Sequence, residues 1–199
     1  IGKIPIDVKE LNIDTLSFSS HKIYAPKGIG VLYIKENIPF IPLIFGHQEN
    51  NRRGGTENVP YIIGLGKAVE LLLEDHYKTS EKMALLRDKM EHEILENISE
   101  VKIYGDLDSR MSNTSNIAFK NVEGDELLLV LESFGIYVST GSACNAHNAE
   151  PSHVLTACHA NLEEYSPIRI SLGKDNTEEE IEYFVKTLIN VVGMLRRKE

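Results

Sequence analysis

Apolar positions recur every second residue in some short runs of the chain and every third or fourth in longer ones. TLSFS (Thr15–Ser19) and GVLYIK (Gly30–Lys35) are of the first kind and predict two strands. Before them, a loop containing Pro5 leads to a short helix expected near Val8–Leu11. Ile38 to Phe45 is apolar but broken by Pro39 and Pro42, which predicts a connector or an irregular edge. From Tyr61 to about Asn97 the period is helical. Ala68, Val69, Leu72 and Leu73 form one stripe, and Met83, Leu86, Met90 and Ile94 a second, with an interruption expected near His76–Ser80. Gly64 and Gly66 mark close packing in the first turns.

Beyond this, Val101–Tyr104, Thr114–Phe119, Ile136–Ser139 and Pro167–Leu172 predict strands. Asp125–Phe134 predicts a helix stopped by Gly135, and Pro151–Ala157 a short helix with proline in its first turn. Ile181, Phe184, Val185, Leu188, Ile189, Val192 and Leu195 define the last helix, with Thr177 and Glu180 as its capping box. The order predicts an α/β architecture. Residues 61–199 form a compact α/β unit of their own, and residues 1–60 belong to the end of a larger layer, with a boundary near Tyr61.

Composition narrows the function classes. The 199 residues are 42% hydrophobic and 26% charged, ordinary for a globular protein with a real core. A net charge of −9 argues against a nucleic-acid surface. No apolar run reaches membrane-spanning length and no secretory signal opens the chain, so a cytoplasmic protein is expected. Two cysteines, Cys144 and Cys158, fit thiols in a reducing compartment better than a disulfide framework. IGKIPIDVKE is neither a start methionine nor a signal, and the chain is expected to begin within something larger.

Four places carry candidate chemistry. Lys22 sits in a polar corner between the first two strands, preceded by Ser19 and His21. A desolvated lysine near hydrogen-bond donors can condense with a carbonyl, and the competing reading is a surface lysine at a hairpin corner. The loop GHQENNRRGGTENVP, residues 46–60, offers the backbone of Gly54-Gly55 and the Thr56 hydroxyl to an anion, or is simply a flexible loop. Cys144, among Gly, Ser, Ala and Asn, has the setting of a reactive thiol, whereas Cys158 after VLTA reads as a packed small hydrophobe. Arg169 in SPIRISLG can hold a carboxylate through two parallel hydrogen bonds, or can pair with a nearby acidic residue. Cys144, His147, Cys158 and His159, with His153 between them, could be weighed as zinc ligands, but their spacing follows no common zinc motif.

Taken together, SFSSHKIYAPKGIGVLYI, GGTENVPYIIGLGKAVEL, STGSACNAHNAEPSHVL and SPIRISLGKDNTEEEI resemble, in order, motifs of the NifS/IscS-type cysteine desulfurases. These are class V aminotransferase-fold enzymes that use pyridoxal 5'-phosphate. The resemblance implies the end of a large cofactor-binding domain over residues 1–60 and a smaller C-terminal α/β domain over 61–199. It implies that Lys22 binds the cofactor covalently and that Ser19, His21 and Thr56 bind its phosphate, Thr56 across a homodimer interface. Arg169 would hold the carboxylate of L-cysteine. Cys144 would accept its sulfur as a persulfide and pass it to an acceptor or iron–sulfur scaffold protein. A selenocysteine lyase is a close variant, and a non-catalytic truncated domain the alternative. The sequence departs from the pattern at Gly46-His47, where a longer glycine run is expected, after the cysteine at Asn145, His147 and Asn148, and at Lys174, where arginine is common. The family's ring-stacking histidine and its acidic partner for the pyridine nitrogen are expected upstream of Ile1.

Overall fold

A computed structural model describes residues 1–141 and 152–198, leaving aside the side chains of residues 75–77 and 198. They form two compact units, Ile1–Tyr77 and Lys78–Glu199.

In the first unit, β1 (Thr15–Ser19) and β2 (Gly30–Ile34) pair antiparallel, from Thr15↔Ile34 to Ser19↔Gly30. Alternate residues of β1 are exposed, as its period-two sequence requires. A 3-10 turn, Ser20–Ile23, follows β1 and is closed by Tyr24 in the left-handed conformation, φ 64°. The Val8–Leu11 segment is a hydrogen-bonded turn rather than a helix. Asp7 accepts the backbone N–H groups of Lys9 and Glu10 on its carboxylate, a local bond that competes with helix propagation.

Helix α1 (Val59–Asn97) runs for 39 residues without the interruption expected near His76–Ser80. That stretch holds no Gly or Pro, and its His, Tyr, Thr and Ser cost only about 0.5 kcal/mol each in a helix. The division between the two compact units falls within this helix, after Tyr77. The first turns of α1 close the core of the first unit. Leu65 is buried, and a Cβ added to Gly64 would stand 3.0 Å from Pro26 Cγ. The Leu72 methyls lie 3.5 Å from where Gly2 would carry one. Gly66, by contrast, has nothing within 4 Å.

In the second unit, β3 (Val101–Ile103), β4 (Thr114–Lys120) and β5 (Tyr165–Ser171) form an antiparallel sheet in that order. The later turns of α1 join α2 (Gly124–Ser133) and α4 (Glu178–Leu195) in one core against the sheet, and α3 (His153–Ala157) is a single short turn. Met90, Ile94, Ile117, Phe119, Leu127, Leu131, Ile168 and Leu188 are wholly buried there. Thr177 caps α4, and its hydroxyl and the Glu180 carboxylate exchange hydrogen bonds with each other's backbone N–H. Ile136–Ser139 contributes only one bridge to the sheet, Ser139↔Arg169, rather than a strand. Among the described residues no helix is long and apolar enough to cross a membrane.

Candidate functional site

The lysine turn is built around a residue that sequence reasoning passed over. Ser20 is wholly buried between the exposed Ser19 and His21. Its hydroxyl faces two carbonyls, those of Pro26, at very short range, and Ile29, at 2.8 Å. Its N–H donates to Ile29 O (3.1 Å) and its carbonyl accepts the Ala25 N–H (3.2 Å). One serine therefore ties the start of the turn to its return limb. Nothing in the sequence separates Ser20 from Ser19, because the distinction lies in which of two hydroxyls meets the returning chain.

Lys22 projects from this turn exposed, and its amine has no hydrogen bond or ion pair among the described residues. Of the two readings of this corner, the described residues match the surface lysine. Among them the sheet here has two strands. Replacing Ser20 by alanine leaves the Pro26 and Ile29 carbonyls short of a donor, and stability falls by about 1–3 kcal/mol. Urea unfolding checks this, together with faster amide exchange at Ser20 and Ala25. A variant within about 0.5 kcal/mol of the parent would contradict the assigned role.

The loop after Phe45 is folded tightly on itself. A Cβ on Gly54 would lie 2.2 Å from Phe45 O, and one on Gly46 would lie 2.5 Å from Gly54 Cα, so only glycine fits at the crossing. Glu49, Asn50 and Asn51 are successively left-handed, at φ 48°, 55° and 62°. Asparagine tolerates this region better than most residues. The N–H of Gly54 donates to Ile44 O (2.7 Å) and that of Gly55 to Gln48 Oε1 (3.1 Å). Two of the backbone donors expected to meet an anion are thus spent holding the loop together. Thr56 remains exposed, and its hydroxyl has no partner among the described residues.

In the second unit, Arg169 lies within β5, half-buried, between Asn116 of β4 on one side and Ser139 on the other. Its N–H donates to Ser139 O (2.6 Å) and its carbonyl accepts the Ser139 N–H (3.1 Å), so both of its backbone groups are held by Ser139. Its guanidinium has no carboxylate partner among the described residues, although acidic residues abound in the sequence. Cys144 and His147 lie outside the described residues. Cys158 is exposed, which corrects its reading as a packed hydrophobe. It stands just past a five-residue helix in which Leu155 alone is buried. Among the described residues no three His, Cys, Asp or Glu side chains gather as a cation site.

Comparison with known proteins decides the family. The aminotransferase class-V family description matches residues 1–184. The chain belongs to this family. It is 45% identical over 200 residues to a cysteine desulfurase of Nostoc sp., covering 98% of this chain and 50% of that one. The cysteine desulfurase IscS of Methanosarcina thermophila is 45% identical over 198 residues, covering 98% of this chain and 49% of the relative. A solved NifS-like protein superposes with a TM-score of 0.86 at 37% identity, over 98% of this chain and 50% of that one. The chain thus spans about half the length of the relatives it matches, and its mixed α/β fold is theirs over that span.

Proposed function

We propose that this class-V aminotransferase chain is the C-terminal half of a pyridoxal-phosphate-dependent cysteine desulfurase of the cytoplasm. Two residues carry the reading, each within its own unit: an accessible lysine on a hydrogen-bonded turn and a strand arginine lacking any described carboxylate partner. Both residues stand in the positions of the desulfurase motifs, in a chain 45% identical to such enzymes. The donor set suits the cofactor: an amine for its aldehyde, and the Ser19 and Thr56 hydroxyls and His21 imidazole for its phosphate. When bound, pyridoxal phosphate supplies an electron sink for the bonds around the substrate's α-carbon.

The protein's own groups then divide the work. Lys22 holds the aldehyde end and carries protons on Nζ. Ser19 and His21 hold the phosphate, joined by Thr56 from the other subunit of a homodimer. The exposed Ile41, Leu43 and Phe45, which precede the Thr56 loop, support a protein contact on that side. Arg169 receives the carboxylate of L-cysteine through two parallel N–H groups. The Cys144 thiolate attacks the substrate sulfur. An S–S bond forms and the C–S bond breaks; its electron pair stays on carbon, which is protonated to give L-alanine. Cys144 is left as a persulfide for a sulfur acceptor or an iron–sulfur scaffold protein.

Incubation with L-cysteine and pyridoxal phosphate tests this. The parent releases alanine and gains one sulfur on Cys144 by mass spectrometry. Cys144→Ser does neither, yet keeps the absorption of bound cofactor. Alanine release that survives Cys144→Ser would sink the assignment. Parallel turnover on selenocysteine separates the selenocysteine lyase variant. One observation favours a second reading, a non-catalytic domain presenting a partner surface: the chain spans about half the length of the relatives it matches. Absence of cofactor absorption in the parent chain supports it.

A further inference from the structure

We propose that Asn116 is a positioning residue for the substrate carboxylate, acting through Arg169. The proposal rests on the reading of Arg169 as the carboxylate site and adds a residue to it. Asn116 and Arg169 are directly opposed in the β4–β5 register. The neighbouring pairs, Ser115↔Ile170 and Ile117↔Ile168, put their buried side chains into the core, so Asn116 and Arg169 share the opposite face of the sheet. Directly opposed residues bring their Cβ atoms to about 4.5–5.5 Å, within reach of each other's side chains.

The two side chains have complementary needs. The Asn116 Oδ1 atom is buried and has no hydrogen-bond donor among the described residues. A buried acceptor left alone carries a cost of about 1–3 kcal/mol, so its retention calls for a reason. Arg169 offers five N–H groups in a fixed fork, of which a bidentate carboxylate takes two. None of the others is engaged by a described residue. A guanidinium N–H donated to Asn116 Oδ1 satisfies the orphaned acceptor and fixes which edge of the fork the carboxylate meets. The amide is suited to this because it is neutral. An aspartate at the same place would pair with Arg169 and repel the substrate. The backbone of Asn116 is itself held, with its carbonyl accepting the Tyr104 N–H at 2.9 Å.

Titration of the isotope-labelled chain with L-alanine, followed by NMR at the Arg169 Nε–H, tests the proposal. Ethylamine, which is alanine without its carboxylate, is the control. The parent shows a saturable shift with alanine, none with ethylamine, and slowed water exchange of the Arg169 N–H when saturated. Asn116→Ala weakens alanine binding about tenfold, the equivalent of 1.4 kcal/mol, and leaves the Arg169 N–H exchanging fast. Asn116→Asp slows the same exchange without ligand but binds alanine worse than Asn116→Ala. A purely structural role cannot produce these opposite responses. If Arg169→Ala abolishes binding while Asn116→Ala binds as the parent does, this proposal alone is overturned. If the parent shows no carboxylate-dependent shift, or Arg169→Ala keeps it, the carboxylate reading of Arg169 falls and the proposal with it.

Discussion

Lys22→Ala abolishes the visible absorption that pyridoxal phosphate develops with the protein and lowers cysteine turnover by about 10²–10⁴-fold, the range for loss of a positioned proton carrier. A lysine amine that condenses with an aldehyde must be reachable and free of a competing carboxylate, and Lys22 meets both conditions among the described residues. Ser20 fixes the turn beneath it, so the amine departs from a rigid base, which limits the entropy lost on binding. Lys22→Arg keeps the positive charge but not the nucleophilic amine, and loses the absorption as well. Lys27, exposed in the same connection, is the internal control. Lys27→Ala keeps both absorption and turnover. Absorption that persists in Lys22→Ala and disappears in Lys27→Ala would move the role to Lys27 and undo the assignment.

What the sequence makes legible here follows from how local each signal is. The capping box of Thr177 and Glu180 and the stripe from Ile181 to Leu195 need only neighbours within two turns, and α4 forms as they predict. The β4 and β5 strands are equally plain, because Ile117, Phe119, Ile168 and Ile170 alternate with polar or small residues. Signals that depend on distant chain do not survive. The hydroxyl of Ser20 matters only because Pro26 and Ile29 return to it. The N–H groups of Gly54 and Gly55 look available for an anion until Ile44 and Gln48 are seen to take them. Cys158 follows an apolar pattern, but one short turn has room to bury only Leu155. The candidate residues Lys22, Thr56 and Arg169 stand out from their local chemistry and their roles from motif resemblance, whereas Asn116 does not stand out, because its meaning comes from the strand register. The break expected in α1 rested on polar residues, and polarity alone does not end a helix that meets no Gly or Pro.

Glu91→Ala destabilises the second unit by about 3–5 kcal/mol, the cost of stranding one partner of a buried ion pair. In the sequence Glu91 belongs to the polar face of MEHEIL, yet it is 5% exposed. Arg110 clasps it with two parallel bonds, Nη1 to Oε1 and Nη2 to Oε2, each 2.7 Å, and the Ser115 hydroxyl donates to the same carboxylate. The hydrogen bonds it donates to Glu91 hold the Arg110 guanidinium above its ordinary pKa, so the arginine stays charged. One turn earlier on α1, Arg87 donates to Met111 O at 2.7 Å. These bonds fasten the connection before β4 to the helix. The adjacent Asn113 donates to Leu172 O at 3.0 Å and accepts the Leu172 N–H at 2.8 Å, which sets the end of β5. The pair is therefore connected to the strand that carries Arg169. Removing both charges is a different matter from removing one. Glu91→Leu with Arg110→Met replaces the pair by apolar volume and recovers most of the loss, because desolvation of the ions no longer opposes folding. Urea unfolding of the single and double variants measures both effects. A single variant within about 1 kcal/mol of the parent, or a double variant no better than the single, would show that Glu91 is hydrated in solution rather than paired.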